Sequence, residues 1–185
     1  MSDLTRLEVD GRLGSPYTFV DECPSTQRLL AEDDPEGATV VADHQTAGRG
    51  RLGRVWEDVP GRSLLVSVLL RPAAPMPIWP ELSIVAGEAV AAALGNGAHL
   101  RPPNDVFVGD RKVAGILPEA TRGRVVLGIG VNVNQSAEEL PRDTVKPPTS
   151  LRIELGRELE RAPLLRAILA ELERRYDEWN GRYAR

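Results

Sequence analysis

The chain has little cysteine and little histidine, and each shortage closes off a class of function. Cys23 is the only cysteine. No intramolecular disulfide can form and no cysteine-rich zinc site can be assembled, which fits a reducing compartment. His44 and His99 stand apart from any metal-ligand spacing, and Cys23 has no basic neighbour, so none of the three is assigned a catalytic role. There is no excess of positive charge either. The formal net charge is -4 and the pI about 5.3, unlike domains whose whole surface coats nucleic acid. Any anion site is therefore local, and nucleic acid is not an expected partner. The N-terminal stretch MSDLTRLEVD lacks the apolar core of a signal peptide, and no uninterrupted apolar run reaches membrane-spanning length. A soluble, cytoplasmic protein without membrane contact is expected.

What is present suffices for one core. At 185 residues and 42% hydrophobic content, residues 1–185 are expected to form a single domain. Runs rich in β-branched residues and leucine recur between glycine and proline: YTFVDEC, GATVVADH, SLLVSVLLRP, NDVFVG, KVAGIL and RVVLGIGVNV. The runs 64–70 and 125–133 are almost continuously apolar, the pattern of strands covered on both faces or central in a sheet, so helices are expected to pack on that sheet. Helices are expected from Ser25 or Thr26 with Leu29 and Leu30 inward, over about 79–94 with a stop at Gly95, and over about 163–179. In the last of these, Leu165, Ile168, Leu169, Leu172, Tyr176 and Trp179 form one stripe. Gly109-Asp110 and Thr121-Arg122-Gly123 are placed as hairpin turns do. Pro118 cannot donate to a ladder, so an edge or a bulge is expected there. The fold class that follows is α+β, with a mixed, largely antiparallel sheet packed by helices.

The segment QTAGRGRLGRVW interleaves Arg49, Arg51 and Arg54 with Gly48, Gly50 and Gly53 and closes on Trp56. Glycine lets a backbone approach a ligand closely, and arginine offers a planar fork of donors to phosphate and carboxylate. Alone, such a loop reads first as a flexible, solvated basic turn. Asn104 and Asp105 follow Pro102-Pro103 at the entrance to a strand. An amide and a carboxylate there can bind magnesium, hold an attacking amine, or simply form an Asx turn. Lys112 opens KVAGIL, where Ala114 and Gly115 leave room for a ligand. Ser25 and Thr26 stand where hydroxyls cap a helix or meet a polar ligand.

Taken in order, the series ST, QTAGRGRLGRVW, PPNDV, RKVAGIL and GIGVNVN resembles the catalytic domain of the biotin protein ligases, across roughly residues 17–155. The resemblance implies a class II aminoacyl-tRNA synthetase-like fold. It also implies a two-step reaction: biotin and ATP give biotinyl-5'-AMP and pyrophosphate, and a lysine of the biotin carboxyl carrier domain of a biotin-dependent carboxylase takes the acyl group. By the same pattern, Ser25, Thr26, Gln45, Gly48, Arg49, Gly50, Arg51 and Gly115 would line biotin. Arg49, Arg51, Arg54, Trp56, Asn104, Lys112 and Asn132 would line the nucleotide, and Asn104 and Asp105 would stand near Mg²⁺. Arg51, Lys112 and Asp105 would be the catalytic residues. The family's Lys-Trp-Pro-Asn-Asp is here Arg101-Pro102-Pro103-Asn104-Asp105. Neither the DNA-binding domain that precedes some family members nor the small β domain that follows most of them is expected, so repression is not expected. The resemblance also allows a homodimer through an exposed sheet edge. A ligase for lipoate or octanoate, and a non-catalytic biotin or adenylate binding module, are the alternatives.

Overall fold

A computed structural model describes residues 2–121, 123–142 and 144–184. The apolar runs become strands β1 (Tyr17–Cys23), β2 (Thr39–Gln45), β3 (Ser63–Leu70), β4 (Ala98–Arg101), β5 (Asp105–Val108), β6 (Arg111–Thr121) and β7 (Arg124–Asn132). They form one seven-stranded sheet in the order β1-β2-β3-β7-β6-β5-β4. β1 and β2 are parallel and the other neighbours antiparallel, so the expected fold class is found. β3 is buried along its whole length because β2 and β7 flank it.

Helices α1 (Leu82–Leu94) and α3 (Arg161–Asn180) pack against each other and against one face of the sheet. The alternation along the strands decides which face. Leu64, Val66, Val68 and Leu70 of β3, with Val125, Leu127, Ile129 and Val131 of β7, join the large core beneath the helices. The stripe of α3 from Leu165 to Trp179 is buried there as expected. The opposite face has no long helix; Leu69 and Val126 join Leu30, Ala38 and Val40 in a small second cluster. Helices thus pack on the sheet as expected, and on the other side the apolar β3 run is buried by a short turn, a loop and the site described below.

The first expected helix is only a 3-10 turn over Thr26–Leu29, with Leu30 buried and Leu29 turned outward. β4 and the one-turn helix α2 (Leu151–Leu155), capped by the Ser150 side chain and left-handed Gly156, were not anticipated. Gly109-Asp110 forms the β5–β6 turn, with Val108 opposite Arg111. Thr121 pairs with Arg124 as expected of the next hairpin, although Arg122 lies outside the described residues. Beyond Gly115, β6 has lost β5 as a neighbour. Pro118, opposite Leu127 of β7, therefore sits on the edge that its missing N–H required.

One expectation about hydropathy is corrected. Residues Met76–Leu94 form a 19-residue helical stretch of mean hydropathy 1.2, long and apolar enough to cross a membrane. Trp79, Leu82, Ala86, Ala89 and Val90 of that stretch lie in the core, which accounts for its apolar character. Buried Arg161 ties α3 to the sheet by donating to the Ser63 carbonyl at 3.0 Å and pairing with Asp43 at 2.9 Å.

Candidate functional site

Where β6 and β7 run side by side, Gly115 is opposite Gly130, and Leu117 is opposite Gly128, which in turn pairs with Ser67 of β3. These glycines face away from the helices and hollow out the sheet surface. A Cβ on Gly128 would lie 2.9 Å from the Gln27 side chain, and one on Gly130 2.6 Å from the Trp56 indole. The side chains that fill the hollow are thus Gln27 and Trp56. Gln27, which the sequence reading passed over, is buried and donates to the carbonyls of Leu117 and Val126 at 3.1 and 3.3 Å.

The 3-10 turn supplies the polar wall. Gln45 Oε1 accepts from the Thr26 backbone N–H at 2.8 Å and its hydroxyl at 3.1 Å, and that hydroxyl is 2.7 Å from Ser67 Oγ. Ser25 is buried but makes no side-chain cap bond, so the capping explanation for its hydroxyl does not hold.

The arginine- and glycine-rich loop is a folded hairpin. Trp56 N–H donates to the Gly48 carbonyl at 3.0 Å, Gly50 N–H to the Arg54 carbonyl at 2.7 Å, and Arg49 bridges to Val55. Gly48 is required by crowding: a Cβ there would come within 2.4 Å of the Trp56 carbonyl oxygen. Leu52, with φ 59°, and Gly53 turn the tip, where Leu52 is 86% exposed. The hairpin lies over the hollow. Arg49 pairs with Glu119 of β6, Arg51 donates to Asn104 Oδ1 at 3.0 Å, and the indole rests on Gly115 and Gly130.

Two cavities result. The first is bounded by Ser25, Thr26, Gln45, Arg49, Gly50, Arg51, Asn104 and the glycine floor, and its free space is about 60 Å³ with the indole in place. Trp56 takes up part of this hollow, resting on Gly115 and Gly130. The second, about 560 Å³, is lined by Arg54, Arg142 and Lys146 with Glu57, Asn132 and Val145. Trp56 and Lys112 belong to the walls of both. Asn132 is held rigidly there, donating to the Thr149 carbonyl at 3.0 Å and accepting from Gln135 at 3.2 Å.

Between the cavities lies Asp105, 4% exposed. Lys112 Nζ stands 2.8 Å from its Oδ1, and Lys146 donates to its Oδ2. Burial pushes the Asp105 carboxyl up, but the two ammonium groups more than reverse this and hold it below the ordinary carboxylate range. The residues do not fit a protein-held divalent ion. Both Asp105 oxygens face ammonium groups, Asn104 Oδ1 faces the Arg51 guanidinium, and the described residues contain no cluster of three metal-ligating side chains.

The sites set aside on sequence grounds behave as ordinary structure. His44 Nδ1 is 2.9 Å from Asp58, whose carboxyl is pushed up by burial and drawn back by that contact. Burial also pushes the Cys23 thiol up, away from the reactive thiolate.

With this geometry in hand, comparison with known proteins is decisive: the chain belongs to the biotin/lipoate A/B protein ligase family, whose model matches residues 20–136. It is 37% identical over 180 residues to the bifunctional ligase/repressor BirA of Bacillus spizizenii, covering 90% of this chain and 55% of that protein. It is 38% identical over 163 residues to the biotin--[acetyl-CoA-carboxylase] ligase of Mycobacterium tuberculosis, covering 83% of this chain and 59% of that one. The chain thus spans little more than half the length of these relatives. Among solved structures, the biotin protein ligase from Aquifex aeolicus in complex with biotin and ATP superposes with a TM-score of 0.79 at 33% identity, over 88% of this chain and 71% of that one.

Proposed function

We propose that this chain activates biotin with ATP to biotinyl-5'-AMP and transfers the biotinyl group to a lysine of a biotin carrier domain. The observation that carries this is the shared wall: Lys112 and Trp56 line both a glycine-floored cavity suited to an acid and a cation-lined cavity suited to a nucleotide. The ligands of the Aquifex protein and the name of the mycobacterial relative support the same substrates.

In the first step a carboxylate oxygen of biotin attacks the α-phosphorus of ATP, and the bond to pyrophosphate breaks. Two anions must meet, and fixed cations lower that barrier because they need no reorganisation as the reaction proceeds. Lys112 stands where the acid and the phosphate converge, and Arg49 and Arg51 hang over it from the hairpin. Magnesium arrives as part of the nucleotide substrate, and no protein residue is assigned to it. In the second step the carrier lysine attacks the acyl carbon and AMP leaves. The carrier lysine attacks as the neutral amine and the proton it loses passes to solvent or to the departing phosphate; Asp105, kept ionised with both oxygens on ammonium groups, acts by holding Lys112 in place.

Pyrophosphate exchange in the presence of biotin, lipoate or octanoate tests the reading. Exchange with biotin alone is expected. Exchange only with lipoate or octanoate would reassign the acid, and biotin binding without exchange would make the chain a binding module. Arg51 pins the hairpin to Asn104, so Arg51→Ala is expected to slow exchange by about 10- to 100-fold, the effect of one charge-assisted hydrogen bond. It should also let free biotinyl-adenylate appear in solution. Chromatography of reactions without carrier measures that leak, and retention equal to wild type would remove Arg51 from the site.

A further inference from the structure

Only two of the 23 basic side chains counted as lysine or arginine are lysines, Lys112 and Lys146. Both bring Nζ to the same buried carboxylate, Asp105. No motif surrounds Lys146, which stands between Val145 and Pro147 in the segment joining β7 to α2. Its place is nevertheless built. Lys112 N–H donates to the Pro147 carbonyl and Thr149 N–H to the Lys112 carbonyl, each at 2.8 Å, and Lys112 bridges to Pro148. The backbone next to Lys146 is therefore tied to the backbone of Lys112, and the Lys146 ammonium also lies 5.7 Å from the Phe107 ring centre. Phe107 is two residues beyond Asp105 and so on the same face of β5.

We propose that Lys146 is a positioning residue of the adenylation site, neutralising Asp105 so that Lys112 is available to the anions of the reaction; this rests on the activity proposed above. A single Lys112–Asp105 pair would be a closed, neutral couple, and an arriving carboxylate or phosphate would have to displace Asp105 from its only cation. Two ammonium groups on one carboxylate leave a net charge of +1. Lys112 can then turn to the ligand while Lys146 keeps Asp105 compensated in its buried place. An unpaired buried carboxylate would be costly. Among the described residues, Lys112 from β6 and Lys146 from the β7–α2 segment bring their charges onto Asp105, while Arg101 of β4, its cross-strand neighbour, has its guanidinium over the Phe107 ring and paired with Asp110. Arg54, Glu57 and Arg142 line the larger cavity beside which the two lysines stand.

Lys146→Met and Lys146→Arg in the full chain test this, with biotin-dependent pyrophosphate exchange followed against pH beside thermal melting. Lys146→Met is expected to lower kcat/KM for biotin by about 10- to 100-fold, the loss that follows one charge-assisted contact, while the melting temperature stays near that of wild type. Its acid limb should move to higher pH, because Asp105 loses part of what holds it ionised, and Lys146→Arg should move the limb back. A methionine variant with wild-type rate and profile overturns the proposal. So does a loss that only tracks a lower melting temperature with the pH profile unmoved, which would mark a structural tether. A second readout separates this proposal from the activity it rests on: NMR titration of the Asp105 carboxyl and binding of inorganic pyrophosphate, both without turnover. If wild type exchanges with no acid, the activity fails. Raised Asp105 titration and weakened pyrophosphate binding in Lys146→Met would still support the charge arrangement, and no change in either would overturn it.

Discussion

Lys112→Ala is expected to reduce biotin-dependent pyrophosphate exchange by about 100- to 10,000-fold in kcat/KM. The estimate takes two charge-assisted hydrogen bonds, one to the acid and one to the phosphate, at about 1.5 to 3 kcal/mol each. The fold should survive. Asp105 keeps Lys146 as a partner, so no buried charge is stranded, and the Lys112 backbone bonds to Pro147 and Thr149 do not depend on its side chain. A variant that melts like wild type but barely exchanges is the predicted combination. Exchange within a few fold of wild type would mean that the acid and the phosphate meet elsewhere.

The second large effect comes from a residue with no functional group. Gly130→Val is expected to raise KM for biotin by about 100-fold or more, equivalent to about 2.8 kcal/mol at 1.4 kcal/mol per decade. The new Cβ would stand 2.6 to 3.0 Å from atoms of the Trp56 indole, expelling the ring and occupying the floor on which an acid would lie. Gly130 is not among the positive-φ glycines, and it lies within β7, where valine is favoured. Stability should change by no more than the 1 to 3 kcal/mol typical of overpacking. Calorimetric titration with biotin checks the prediction, with thermal melting as the control for the fold. Undiminished biotin affinity would place the acid somewhere other than the glycine floor.

The local part of this molecule was legible in the sequence. The fold class followed from strand runs, hairpin turns and the α3 stripe, and the hairpin of residues 48–56 was singled out by its glycines and arginines. The order of short motifs led to the family. What escaped was assembled across the sheet. Gly128 and Gly130 matter because they neighbour Gly115 through strand pairing; glycines inside an apolar strand were the available signal of a close approach. Ser67 looked like one polar residue in an apolar run, yet β3 register places it beside Thr26. Lys146 meets Asp105 across 41 residues of chain, through a proline-flanked segment with no periodicity to read. β4 is only four residues long, too short for alternation to stand out.

The scarcity of lysine bears on how a chain with the proposed activity would coexist with an acyl-adenylate. An acyl-adenylate is an electrophile that acylates uncharged primary amines, whereas guanidinium groups stay protonated and are poor nucleophiles. A chain that carries nearly all its positive side chains as arginine, with its two lysines set around one buried carboxylate, offers such an intermediate few amines of its own to modify. The first uncharged lysine amine it meets is then more readily a visitor's than its own.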